Sequence, residues 1–133
     1  MADTTTAVLA TGPGRLTKAA AVTNLVLVGL FLAGTVGRHA YLANQFGWDS
    51  LDPSHDPKDV LFTGPLGILH VLTVLIALLG WLIVVPLGIW SGVVVAATRR
   101  AHPLLVASVL ATITYVAISV SPYGALLRYW LLD

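Results

Sequence analysis

Three histidines hold most of the chemistry this chain could perform. A neutral imidazole binds copper, zinc or haem iron, or passes a proton. His39, His55 and His70 are therefore the candidate metal ligands. The stretch Asp52-Pro53-Ser54-His55-Asp56 adds carboxylate oxygens beside the second of them. No pair shows a recognised ligand spacing such as His-x3-His on one helix. A lone histidine near a helix end more often hydrogen-bonds a carbonyl or a headgroup. Other catalytic patterns are missing. There is no nucleophile elbow, phosphate-binding loop or dinucleotide fingerprint, and no acid lies inside an apolar run to act as proton carrier. The chain has no cysteine, which excludes thiolate chemistry, iron–sulfur clusters and cysteine-ligated zinc.

The elements that would position these histidines are membrane spans. Of 133 residues, 57% are hydrophobic and 10% charged, against about 25% charged in a soluble domain. Lipid is the expected solvent. A net charge of +1 gives no reason to expect a nucleic-acid partner. The run from Pro65 to Thr98 holds no Asp, Glu, Lys or Arg, and His70 is its one ionisable group. It exceeds the roughly 20 residues that cross a bilayer, so it must tilt, project or kink, with Pro86 as the cause of a kink.

The predicted fold is all-α: an integral membrane protein with three transmembrane helices at about 19–43, 65–98 and 104–121. Residues 1–18 read as a flexible tail and 19–133 as one membrane domain. The polar connection 44–64 carries four of the six acids. The last stretch, YGALLRYWLLD, suits a short interfacial helix after the Pro122 break. Arg15 and Lys18 ahead of a long apolar run also resemble a signal peptide. That run is longer than the usual 7–15 residues and lacks a small-x-small exit, so it is read as a retained span. Arg15, Lys18, Arg99 and Arg100 fall on one side, against Arg38, Lys58 and Arg128 on the other. The positive-inside rule then puts the N-terminus in the cytoplasm, with the acidic loop and C-terminus outside the cell membrane.

The remaining candidates are packing residues. Gly29, Ala33 and Gly37 recur at i, i+4 and i+8 and share one helix face; small residues so spaced let backbones approach closely in lipid. Gly88 and Gly92 continue a small stripe on the second span that begins at His70 and Thr73. Ser108, Thr112, Tyr115 and Ser119 form a matching polar stripe on the third. Serine and threonine can satisfy themselves on their own helix, whereas the Tyr115 hydroxyl needs a partner elsewhere. Asn24, Thr35 and Arg38 lie roughly opposite the glycine face of span one, so that span is expected to be covered on both sides. Leucine at Val26 or Phe31 is expected to matter less for assembly than leucine at Gly29 or Gly37.

The function this implies is that of a small accessory subunit in a larger integral-membrane complex, such as an oxidoreductase or oxygenase. It would contribute packing surface rather than a reaction centre, and would not itself be an enzyme. Its partners are the bilayer and either other membrane subunits or further copies of itself. No cofactor is expected. The alternatives are a haem b or copper subunit using the outer histidines, and a small oligomeric channel or transporter.

Overall fold

The computed structural model describes residues 13–47 and 64–132. Four helices account for nearly all of them: α1 (Arg15–Phe46), α2 (Pro65–Thr98), α3 (Pro103–Val120) and α4 (Pro122–Leu132). Three helices, α1 to α3, are long and apolar enough to cross a membrane. Each of these packs against the other two, and α4 packs on α3.

The ends follow from local chemistry. Helix α1 begins directly after Gly14 and takes in Arg15 and Lys18; Arg, Leu, Lys and Ala are all good helix formers. It ends at Gly47, whose φ of +86° needs no Cβ and whose N–H caps the Ala43 carbonyl at 2.9 Å. Helix α2 starts with Pro65 in its first turn, where a missing N–H costs nothing. It runs unbroken to Thr98 with Pro86 inside, which removes the hydrogen bond to the Leu82 carbonyl. The connection to α3 is four residues with Arg99 at φ 50°, and Pro103 opens α3 as Pro65 opens α2.

The lengths are unequal. At about 1.5 Å per residue, the 34 residues of α2 span about 51 Å, and the 18 of α3 about 27 Å. The first exceeds a hydrocarbon core of about 30 Å and the second barely fills it.

Packing follows one rule in all three long helices. Buried positions on α1 include Ala21, Asn24, Val28, Phe31, Thr35 and Arg38. On α2 they include Thr73, Ile76, Val84 and Ser91, and on α3 Leu105, Ser108, Thr112, Tyr115 and Ser119. These spacings of three and four residues make one seam per helix, the pattern by which helices interlock side chains. The centre of the core is Val28, Phe31, Ile76, Val84 and Tyr115. Phe31 meets Tyr115 edge-on at 5.0 Å and is 1% exposed, whereas Val26 is 54% exposed. Of the two, only Val26 is a surface position. Phe31 falls on the seam with Asn24 and Arg38.

Pro122 breaks the helix between α3 and α4. The carbonyls stranded there are taken up locally. Ser121 donates through Oγ to the Ile118 carbonyl at 2.6 Å, and Arg128 reaches back to the Ser119 carbonyl at 2.5 Å. A cation on a helix C-terminus also meets the negative end of the helix dipole. Gly124 permits this fold-back, since a Cβ there would fall 2.5 Å from the Ile118 carbonyl oxygen. Arg128→Gln is expected to loosen α4, read as faster amide hydrogen exchange over 122–130 with the three spans unchanged.

Candidate functional site

The polar residues of the three spans meet at one junction. Asn24 on α1 points its amide nitrogen at α3, 2.8 Å from Ser108 Oγ, 2.8 Å from Thr112 Oγ1 and 3.1 Å from the Ser108 carbonyl. Ser91 on α2 contacts Ser108 Oγ at 3.0 Å and donates to the Leu87 carbonyl at 3.0 Å. Thr112 reaches the Ser108 carbonyl at 3.1 Å and the Val84 carbonyl of α2 at 3.4 Å. Asn24, Ser91 and Ser108 are fully buried. In lipid such groups have no water to turn to, and an interhelical bond is worth about 0.6–2 kcal/mol. The junction therefore pins all three spans in one register.

A second tier lies along the same seam. Tyr115 is buried and donates its hydroxyl to the Ile76 carbonyl of α2 at 3.1 Å, the cross-helix partner its chemistry requires. Trp81 packs edge-on to the same ring at 6.2 Å. Three of the hydroxyl-bearing side chains here face a glycine. A Cβ on Gly80 would lie 2.7 Å from Tyr115 Cζ, one on Gly88 2.5 Å from Thr112 Cβ, and one on Gly34 2.8 Å from Thr73 Cβ. Gly34 and Ser91 were not singled out from the sequence. Gly34 adjoins Thr35 on the α1 seam, so the spacing of Asn24, Phe31 and Arg38 is the signal that reveals it. Gly92 is more loosely placed, its nearest neighbour being Val109 at 3.7 Å.

The α1 face with Gly29, Ala33 and Gly37 is not used by the bundle. All three are exposed, and a Cβ at Gly29 or Gly37 would meet nothing within 4 Å. The bundle instead takes the opposite side of α1, where Asn24, Thr35 and Arg38 are buried. Burial of that side keeps the polar groups out of lipid.

The histidines are spread over different elements. His39 on α1 donates from Nδ1 to the Thr35 carbonyl at 2.7 Å, and its ring stands edge-on to Tyr123 at 5.7 Å. The two line a cavity of about 320 Å³ with Thr35, Val36, Ile118 and Ser121. The wall is almost wholly apolar, so the cavity suits an acyl chain better than an ion. His70 is half-buried near the start of α2. His55 lies outside the described residues. Among the described residues, no three His, Cys, Asp or Glu side chains converge as a metal site would require. Comparison with protein-family models, curated proteins and solved structures returns no match to this chain.

Proposed function

We propose that this protein is a small accessory subunit of a larger integral-membrane assembly, joined to a neighbouring helix through the Gly29/Ala33/Gly37 face of α1. The observation that supports this reading is the division of labour on α1. One side carries the polar residues and is covered by α2 and α3; the other carries small residues at four-residue spacing and is open. Close backbone approach along such a face gains dispersion contacts that lipid tails do not match. Apart from Arg38, the buried polar side chains carry hydroxyl or amide groups, suited to holding helices rather than to turning over a substrate. The setting is the cell membrane with the N-terminus in the cytoplasm, supported by the exposed Arg99-Arg100 pair in the short α2–α3 connection.

The test is blue-native electrophoresis in mild detergent of wild type and the double variant Gly29→Leu/Gly37→Leu. Wild type is expected to migrate as a complex. The variant is expected to lose at least ~10-fold of it, equivalent to about 1.4 kcal/mol, while staying inserted and folded, because no side chain of its own bundle lies near either glycine. A wild-type monomer, or an undiminished complex with leucine at both positions, refutes the reading.

A further inference from the structure

The junction of Asn24, Ser91, Ser108 and Thr112 is one hydrogen-bond donor short. The Asn24 amide nitrogen has two hydrogens, and Ser108 Oγ and Thr112 Oγ1 take them at 2.8 Å each. The Ser91 hydroxyl proton goes to the Leu87 carbonyl, which frees its oxygen to accept from the Ser108 hydroxyl at 3.0 Å. The Thr112 hydroxyl proton goes to the Ser108 carbonyl at 3.1 Å. Every hydrogen is then used. Asn24 Oδ1 is fully enclosed and, among the described residues, no donor reaches it. Exchanging the amide oxygen and nitrogen does not help. It would set Oδ1 against the Ser108 carbonyl oxygen, now 3.1 Å from the nitrogen, and strand two N–H groups in place of one oxygen.

We infer that Asn24 Oδ1 is the binding point of a single water molecule locked into the bundle. An unmet buried acceptor is strongly unfavourable in hydrocarbon, and a small donor supplied from outside the chain removes that cost. Water fits better than a cation, since none of the four residues is charged to offset the ion's desolvation. It also fits better than a partner chain, because Asn24 is 0% exposed. This inference is independent of the accessory-subunit reading.

The experiment uses the full chain in lipid bilayers. Asn24 and Asn44 are the two asparagines, so Asn44→Gln with 13C,15N-asparagine labels Asn24 alone. Water-edited solid-state NMR is expected to show magnetisation passing from a bound water proton to Asn24 Cγ. Isotope-edited infrared spectroscopy of the same sample is expected to place the side-chain carbonyl at a hydrogen-bonded frequency. Absence of transfer together with an unbonded carbonyl band overturns the inference. So does a carbonyl band that shifts when sodium replaces potassium, or transfer that comes from a differently labelled second chain in mixed samples.

Discussion

Gly34→Ala is expected to cause a large loss of stability for a single added methyl group. The new Cβ would overlap Thr73 Oγ1 and lie 2.8 Å from Thr73 Cβ, well inside any contact real atoms make. Thr73 cannot swing away cheaply. It is β-branched, and its hydroxyl is tied to the Leu69 carbonyl at 2.7 Å. The α1 and α2 backbones must move apart, and overpacking of this kind typically costs about 1–3 kcal/mol. Gly29→Ala, five residues earlier on the same helix, is the control. With open space around it, it should be neutral or slightly stabilising, because Ala exceeds Gly in helix propensity by about 1 kcal/mol. Reversible unfolding in mixed micelles reads both. Equal effects at the two glycines would refute the packing argument. Adding Thr73→Gly to Gly34→Ala should recover part of the loss, since the obstructing side chain is gone.

Tyr115→Ala is expected to be comparably damaging. The ring is enclosed between Phe31 and Trp81, and its hydroxyl supplies the bond to the Ile76 carbonyl. In water, truncating a buried aromatic costs about 3–5 kcal/mol. Part of that figure is transfer from water, which has no counterpart when the unfolded helix already sits in lipid. The share left is the cavity and the lost dispersion contacts, and about 2 kcal/mol is the expected result at the lower end of the aliphatic truncations. Tyr115→Phe separates the hydroxyl from the ring and should cost about 0.6–1.7 kcal/mol, the range of single interhelical bonds in lipid. A Phe variant as damaged as the Ala variant would show that the hydroxyl, and not the packing, holds this tier together.

These two residues also show how far the sequence could be read. Tyr115 was visible because a phenol cannot satisfy itself on its own helix, and with it came Ser108, Thr112 and Ser119 at spacings of four, three and four. The three apolar helices followed from hydropathy and charge alone, since no soluble fold hides so little charge. Gly34 was harder. The regular Gly29/Ala33/Gly37 series drew the eye to one face of α1, while the face that packs within the chain is set by Asn24, Thr35 and Arg38, which lipid penalises most. Small residues mark where helices can approach, and polar residues mark where they must. Phe31 belongs to the same seam that those polar residues define. The convergence of Asn24 and Ser91 on Ser108 lies between helices, 84 and 17 residues apart in sequence, and no local pattern encodes it.

The inequality of helix lengths has a consequence for where the protein can reside. Helix α3, about 27 Å long over its 18 residues, is bounded by Pro103 at one end and the Pro122 break at the other. It cannot lengthen, so it limits how thick a bilayer the bundle tolerates. Helix α2 has apolar residues in excess and adapts to any thickness by leaning. Hydrophobic mismatch therefore falls on α3 alone, at fractions of a kcal/mol per Å. The bundle should be most stable in short-chain lipids and lose stability steadily as acyl chains lengthen. A cell with membranes of differing thickness would thus sort this protein toward the thinner one, through the length of a single helix.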